Sequence, residues 1–274
     1  MSAYTKEEIF AQLRAMGAPR DRMVLMHSSL RTVGKVEGGA EGLLDALIEY
    51  FTAEGGLFCV PTHTWHNLEN GSEFTLDMSS SDNCLGYFST VAASDPRGYR
   101  TESPTHSMVI FGDRALAEEV ARGELVADTP VSPDTCYGKL YERDGFVLLV
   151  GVAHNRNTYL HTVDEILGIP NRMGNQFYTT TIRKANGEVV ERKLRLFDTD
   201  YTSDISDRFI KFDVPFRYHR CGTDGFLGNA PTQLLSARKM KEVMERIYRN
   251  SPTDPLDTEN PIDPRYYVKN GESK

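Results

Sequence analysis

The chain has 274 residues, of which 39% are hydrophobic and 26% are charged, and its formal net charge is −8. This balance is ordinary for a globular protein with a sizeable core, and it argues against fibrous, disordered and membrane-spanning classes, because no run approaches the roughly 18 apolar residues that cross a bilayer. The acidic charge also argues against a partner held through nucleic-acid phosphates, and it is compatible either with solubility alone or with binding of a cationic small molecule.

The N-terminus and the cysteines bear on the cellular compartment. The first ten residues lack the basic and then apolar layout of a signal peptide. Cys59, Cys84, Cys136 and Cys221 contain no pair at metal-ligand spacing. We therefore expect reduced thiols and a cytoplasmic location, without a membrane or nucleic-acid partner.

Hydrophobic periodicity predicts alternating strands and helices in the first half of the chain. Thr5 and Glu8 form a capping-box pattern before the first helix. The further elements predicted are strand 23–26, helix 40–53, strand 57–61, helix 85–93, strand 107–111, helix 114–122 and strand 146–152. The segment 62–83, which carries Trp65, is polar and reads as a long functional loop.

The second half has a different pattern. Asn186-Gly187 is a strong hairpin turn between two alternating segments. The elements predicted here are strands 176–184 and 188–197, a charged helix at 200–212, a strand near 216–221, a helix 234–248 capped by Thr232, and an extended tail from Ser251.

These patterns predict an α/β protein with a central, largely parallel or mixed sheet flanked by helices and an antiparallel hairpin lobe in the C-terminal half. We expect a single domain over residues 1–274, in which 176–222 form a hairpin-containing subdomain or insertion.

The segment from Asn157 to Glu165 carries the clearest chemistry. If it is helical, His161 shares a face with Asp164 and Glu165, at i+3 and i+4. The predicted strand before it places the imidazole beyond a carboxyl end of the sheet, where ligands bind in open α/β folds. A histidine beside a carboxylate suits a general base, although the same pair is common on solvated helices.

Other motifs are weaker or missing. The chain has no Gly-x-Ser-x-Gly elbow, no phosphate loop and no dinucleotide fingerprint, which disfavours the common hydrolases, kinases and dehydrogenases. His63 and His66 could in principle bind a metal, and the alternative is that they line or cover a cleft. Gly38 and Gly39 open a helix whose amides could meet an anion, or they simply allow the chain to turn.

Four stretches, in this order and spacing, resemble the antibiotic N-acetyltransferase family, the aminoglycoside 3-N-acetyltransferases that are distinct from the GNAT superfamily. The resemblance covers most of the chain. The stretches are His27-Ser-Ser-Leu30 with Gly38-Gly-Ala40, Arg100-Thr-Glu-Ser-Pro-Thr-His-Ser107, Ser132-Pro133 with Lys139-Leu-Tyr-Glu142 and Asp144-Gly145, and Val147-Leu-Leu-Val-Gly-Val152 followed by Asn157-Thr-Tyr-Leu-His161.

The resemblance implies transfer of an acetyl group from acetyl-CoA to an amine of an aminoglycoside, by direct attack and without a metal. It implies that His161 is the general base, with Asp164 at the position of the family's acid and Glu165 adjacent. Further residues are assigned by the same resemblance. They are Ser28, Ser29, Arg31, Gly38 and Gly39 for CoA, Ser107 near the thioester, and Trp65, Asp82, Glu102 and Asn157 for the acceptor.

The chain departs from the family at one position, because members often have His-Pro where this sequence has Ser103-Pro104. Two alternatives therefore stay open. The protein could acetylate a non-antibiotic amine or amino sugar, or it could bind CoA without catalysis. The partners expected are a cationic small molecule and CoA, and the protein is expected to be a monomer or homodimer.

Overall fold

A seven-stranded mixed sheet lies at the centre of the protein, with strand order β4-β5-β2-β1-β6-β10-β9. The computed structural model describes residues 2–197 and 205–268. The strands are β1 (Met23–Ser28), β2 (Leu57–Pro61), β3 (Leu76–Asp77), β4 (Tyr99–Arg100), β5 (Met108–Phe111), β6 (Phe146–Val150), β7 (Met173–Arg183), β8 (Val189–Phe197), β9 (Gly222–Leu227) and β10 (Ala230–Ser236).

Helices flank the sheet. They are α1 (Lys6–Ala15), α2 (Leu30–Val33), α3 (Gly39–Thr52), α4 (Trp65–Glu69), α5 (Tyr87–Ser94), α6 (Arg114–Ala121), α7 (Cys136–Glu142), α8 (Tyr159–Ile166), α9 (Ile205–Arg208), α10 (Asp213–Tyr218) and α11 (Ala237–Asn250), with 3₁₀ turns at Arg122–Leu125, His154–Arg156, Phe209–Phe212 and Pro264–Tyr266. Within the described ranges, no helix has the length and apolar character needed to cross a bilayer.

The pairing of the strands confirms the predicted α/β class. Strand β1 is parallel to both β2 and β6, whereas β5 pairs antiparallel with β2 and β10 pairs antiparallel with β6. The predicted hairpin is present as β7 and β8, which form a second sheet with the short strand β3. The main sheet is therefore parallel only in its centre, and its carboxyl-terminal edge is formed by β1, β2 and β6.

Local signals explain where the two terminal helices begin. Thr5 accepts a hydrogen bond from the Glu8 amide at 3.2 Å, and the Glu8 carboxylate accepts one from the Thr5 amide at 2.8 Å, which confirms the predicted capping box. Helix α1 then lies against β9, where the Gln12 side chain donates to the Gly228 carbonyl and accepts from its amide, at 3.1 and 2.7 Å. Helix α11 begins after Ser236, whose hydroxyl accepts from the Lys239 amide.

Two predictions between residues 216 and 236 were wrong. Residues predicted as a strand near 216–221 belong instead to α10 and the turn after it, and the strand follows at Gly222–Leu227. Thr232 does not cap a helix, because residues up to Ser236 form β10. Leu234 and Leu235 are both buried there, since helices cover both faces of this strand. Of the helix predicted at 200–212, residues 200–204 lie outside the described residues.

The tail from Ser251 was expected to be extended, yet part of it belongs to the core. Leu256, Ile262 and Tyr267 are at most 5% exposed and pack in the same hydrophobic cluster as α11. Burying one such side chain contributes on the order of 1.5–3 kcal/mol. The segment 62–83 likewise contains α4 and β3, and β3 pairs with β7.

Candidate active site

The candidate site lies at the carboxyl-terminal edge of the central strands. Strand β6 ends at Val150, and Gly151 follows with a positive φ of 63°. A Cβ atom at Gly151 would lie 1.8 Å from Thr32 Oγ1, so only glycine lets the chain turn beneath α2. This turn leads through His154–Arg156 to α8, which carries His161. The position fits the usual ligand edge of a parallel sheet.

The imidazole of His161 is enclosed by aromatic rings. It is 7% exposed, and its ring centroid lies 4.2 Å from that of Phe197 and 4.7 Å from that of Phe209. Its Nε2 atom lies 3.2 Å from Ser206 Oγ, and its Nδ1 atom has no partner among the described residues. Burial, with smaller contributions from His106 and Arg172, lowers the pKa of His161 to about 3. The ring is therefore neutral at pH 7, the form that accepts a proton.

Three further histidines form a cluster with His161, which we call the histidine cluster: His27, His63, His106 and His161. All four are 5–7% exposed, and the rings of His63 and His106 are 4.4 Å apart. His63 Nε2 lies 2.8 Å from the Tyr137 hydroxyl, and His106 Nδ1 lies 2.9 Å from Thr105 Oγ1. Burial lowers the pKa of each ring, to about 3 for His27 and His106.

The sequence alone did not predict that His27, His63 and His106 lie close to His161. A signal was available in their positions, because His27 lies near the end of β1, His63 follows β2 by two residues and His106 precedes β5 by two residues. Since β5 is antiparallel to β2, with Pro61 opposite Met108, the start of β5 meets the end of β2. Only the antiparallel pairing brings these two histidines to one edge.

The two carboxylates after His161 have other partners. Asp164 is fully buried, and its Oδ2 accepts from Arg172 Nε at 2.7 Å. Glu165 Oε2 accepts from the Thr129 hydroxyl at 2.8 Å, and burial raises the pKa of Glu165 to about 7. The helical spacing is as expected, but neither carboxylate hydrogen-bonds His161 in this structure.

The residues assigned to CoA by resemblance lie at the starts of α2 and α3. Ser28 ends β1, and the Ser29 amide donates to the Val150 carbonyl at 2.9 Å. Arg31, Gly38 and Gly39 are exposed. Both glycines have positive φ, 73° and 68°, which explains their identity by backbone geometry. The exposed N-terminus of the 14-residue α3 has the polarity that suits a phosphate.

Ser107 is completely buried, and its hydroxyl is used inside the protein. It donates to the Thr62 carbonyl at 2.7 Å and accepts from Arg100 Nε at 3.3 Å. The Arg100 side chain also donates to the Asp82 carbonyl at 3.0 Å. In this structure Ser107 therefore ties β5 to the 62–83 segment.

The residues assigned to the acceptor lie in different environments. Trp65 is 38% exposed at the start of α4. Asp82 accepts from Asn67 Nδ2 at 2.9 Å, and Glu102 Oε2 lies 3.4 Å from Lys184 Nζ. Asn157, by contrast, is 1% exposed, with its amide nitrogen 3.4 Å from His154 Nδ1 and 3.7 Å from Met240 Sδ.

His63 and His66 have different partners and do not form the metal-binding pair considered from the sequence. His66 Nε2 lies 3.2 Å from Asp82 Oδ2, whereas the His63 ring contacts Tyr137. Among residues 2–197 and 205–268, no group of three or more His, Cys, Asp or Glu side chains is arranged to hold a metal ion.

The β7–β8 hairpin is joined to the loops of the site by its basic side chains. Four of these residues contact three loops. The contacts are Arg183 to Asp77, Lys184 to Glu102, Arg195 to Asp128 at 3.0 Å, and Arg192 to the Glu124 and Ala127 carbonyls at 2.9 and 3.0 Å. Phe197, at the end of the same hairpin, contacts His161, so the hairpin covers one side of the candidate site.

Comparison with known families agrees with this architecture. Residues 25–249 match the family model described as aminoglycoside 3-N-acetyltransferase. The protein belongs to this family of acyltransferases.

Individual relatives are distant. The chain is 27% identical over 181 residues to the SPbeta prophage-derived aminoglycoside N(3')-acetyltransferase-like protein YokD of Bacillus subtilis, and 30% identical over 167 residues to aminoglycoside N(3)-acetyltransferase IV of Salmonella. These matches span 58% and 61% of this chain, and 64% and 61% of the relatives. A match to aminoglycoside N(3)-acetyltransferase III of Serratia marcescens, at 26% identity, spans 85% of this chain and 93% of the relative.

Solved structures share the fold. The crystal structure of YokD superposes with a TM-score of 0.77 at 22% identity, covering 93% of this chain and 96% of the other. The complex of AAC-IIIb with CoASH gives 0.75 at 20% identity, covering 93% and 100%. A mutant of AAC(3)-IVa in complex with a gentamicin gives 0.74 at 23% identity, covering 91% and 90%.

Proposed function

We propose that the protein transfers the acetyl group of acetyl-CoA to an amino group of an aminoglycoside, at the 3-position. The observation that carries the proposal is the family match over residues 25–249, which includes His161 and the edge of the sheet that holds it. The CoASH complex of AAC-IIIb and the gentamicin complex of AAC(3)-IVa, which share the fold, support the two substrates.

In this mechanism His161 is the general base. The neutral amine attacks the thioester carbonyl, forming the N–C bond, and the C–S bond breaks as the CoA thiolate leaves and takes up a proton. The amine nitrogen becomes much more acidic once it is bonded to the carbonyl carbon, so a weakly basic imidazole can take its proton. A His161 ring kept neutral by burial is ready for that step.

Charge and backbone geometry are consistent with both substrates. A net charge of −8 attracts a polycationic acceptor over long range. We assign the phosphates of CoA to the exposed start of α3 at Gly38 and Gly39, together with Arg31. We assign the acceptor to the region around Trp65 and Asp82.

A second acceptor class is favoured by one observation. Asp77, Glu102 and Asp128 are already paired with cations of the hairpin, which leaves fewer free carboxylates for a polycation. An amine of lower charge, such as an amino sugar with a single amino group, would need fewer of them.

The test is thiol release from acetyl-CoA with a panel of amines. The panel should contain 2-deoxystreptamine aminoglycosides and amino sugars with one amino group. Turnover with the aminoglycosides, with the product acetylated at the 3-amino group by NMR, supports the proposal. Turnover only with the amino sugars replaces the acceptor class, and CoA binding without turnover of any amine refutes catalysis.

A further inference from the structure

The tail segment Asp254–Leu256 lies far from His161 in sequence, but it contacts α9 directly and α8 through Arg172. His161 lies on α8, and the hydroxyl near its Nε2 atom belongs to Ser206 on α9. Helix α8 has eight residues and α9 has four, so neither is stable without tertiary contacts. The orientation of His161 therefore depends on what fixes these two short helices.

Helix α8 is fixed through Asp164. The Asp164 carboxylate accepts from Arg172 Nε at 2.7 Å and from the Tyr248 hydroxyl at 2.9 Å. The same guanidinium donates through Nη2 to Asp254 Oδ2 at 2.6 Å. The side chains of Asp164 and Arg172 are 0% and 2% exposed, and that of Asp254 is 14% exposed. One buried guanidinium thus holds two carboxylates in a fixed fork geometry.

Helix α9 is fixed by the neighbouring tail residues. Arg208 Nη1 donates to the Leu256 carbonyl at 2.6 Å. The Leu256 amide donates to Asp254 Oδ1 at 2.9 Å, and the Leu256 side chain is fully buried. The tail is therefore anchored in the core at Leu256. Within three residues it contacts α9 directly and is linked to α8 through Arg172.

We propose that Asp254 is a positioning residue for His161, acting through Arg172 and Asp164 on α8 while Leu256 holds α9. This inference rests on the proposed function only for its kinetic part. It also gives Asp164 a role that does not require contact with the imidazole. A displacement of about 1 Å of a reacting group lowers rates by up to about 100-fold, so loosening α8 should be visible in kcat.

The test compares Asp254→Asn with a control in the same tail, Asp263→Asn. Asp263 pairs with Arg265, its neighbour in the tail, whose side chain is 83% exposed. Asp254→Asn should lower kcat roughly 10-fold or more, with KM for acetyl-CoA unchanged, at a temperature where both variants are folded. Asp254→Glu, which keeps the charge, should retain more activity. Asp263→Asn should match the unchanged protein.

A second readout does not need turnover. The ring-proton NMR signal of His161, assigned by its loss in His161→Gln, should shift or broaden in Asp254→Asn and stay in place in Asp263→Asn. If Asp254→Asn does not fold, Asp254→Glu provides the same NMR comparison. Tyr248→Phe, which removes a hydroxyl bonded to both Asp164 and Arg172, then tests the same chain of contacts one step nearer to α8. A lowered melting temperature with kcat and the His161 signal unchanged would overturn the proposal. If the unchanged protein transfers no acetyl group, the proposed function fails and the NMR comparison still decides this one.

Discussion

The two sides of the candidate site are held by different forces. On the sheet side, the histidine cluster is buried, uncharged and packed against strand ends, so its positions are set by the core. On the hairpin side, contacts with the loops are ion pairs between partly exposed side chains, such as Arg195 with Asp128. Exposed ion pairs contribute little each and weaken with salt. The histidine cluster is therefore held by the core, whereas the hairpin is held against the loops by weaker and more replaceable contacts.

The largest effect is expected from removing the base on the sheet side. His161→Ala should lower kcat by about 10²- to 10⁴-fold, because general base catalysis typically contributes that much. Binding of CoA, measured by calorimetry, should stay unchanged. His219→Gln is the control, because its amide can still donate to the Tyr267 carbonyl that the His219 ring contacts at 2.7 Å. Activity retained in His161→Ala would remove it from the catalytic role.

The next effect concerns stability and pH. Burial lowers the pKa of His106 to about 3, so the unfolded chain binds the proton first as the pH falls below 6.5. The stabilisation is complete above pH 6.5 and is lost as the pH falls towards 3. Between about pH 6 and 4, the free energy of unfolding of the original protein should fall by about 1.4 kcal/mol per pH unit more than that of His106→Asn. Urea unfolding at several pH values measures both slopes. Equal slopes for the two proteins would contradict the neutral cluster.

Two glutamates change the stability of the protein with pH in the opposite direction to His106. Burial raises the pKa of Glu124 and of Glu165 to about 7. Their contribution is complete below the usual pKa of a glutamate and is lost as the pH rises through about 7. The difference in unfolding free energy between the original protein and His106→Asn isolates the contribution of the His106 imidazole. The pH curve of a single protein contains the contributions of all these groups together.

A smaller effect should follow from opening the hairpin side. Phe197→Ala removes the ring next to His161 and admits water, so the pKa of the imidazole should rise by roughly one pH unit. An NMR titration measures this directly. Phe177→Ala is the matched control, because Phe177 lies on the same hairpin and is 52% exposed. A His161 titration unchanged by Phe197→Ala would show that other groups keep the ring dry.

The smallest effect is expected from a single ion pair of the hairpin. Lys184→Met frees Glu102, which should lower KM for a polycationic acceptor roughly two- to fivefold at low salt and less at high salt. Lys193→Met, at an exposed position of β8, provides the control. If both variants change KM alike, Glu102 has no separate contact with the acceptor.

The sequence predicted those elements whose signals are local. The capping box, the strand beginning at Phe146 and the Asn186-Gly187 hairpin were confirmed, because each depends on neighbouring residues. The residues from Thr232 to Ser236 were assigned wrongly to the start of a helix, since their apolar side chains suit a helix or a strand equally. Their pairing with β6, Thr232 opposite Val150, decided the outcome.

The same limit applies to the site. The position of His161 followed from a local motif, but His63 and His106 meet only through the antiparallel pairing of β2 with β5. The partner of Asp164 could not be read from helical spacing, because Arg172 competes with His161 and is itself held by Asp254, 82 residues further along the chain. Which partner a buried carboxylate takes depends on the charged groups around it in the folded protein, and these cannot be read from neighbouring residues in the sequence.

The contact between Gln12 and Gly228 bears on the order in which the protein folds. Helix α1 is made well before its hydrogen-bonding partner, which lies 216 residues later. Contacts so distant in sequence are closed slowly, because the intervening chain must first be ordered. Helix α1 therefore waits for β9 and the turn after it, whereas β1 can already pair with β2 and β6. The apolar face of α1 stays exposed while the intervening chain is made. Docking of α1 is expected to be a late step of folding, after β9 and β10 have joined the sheet.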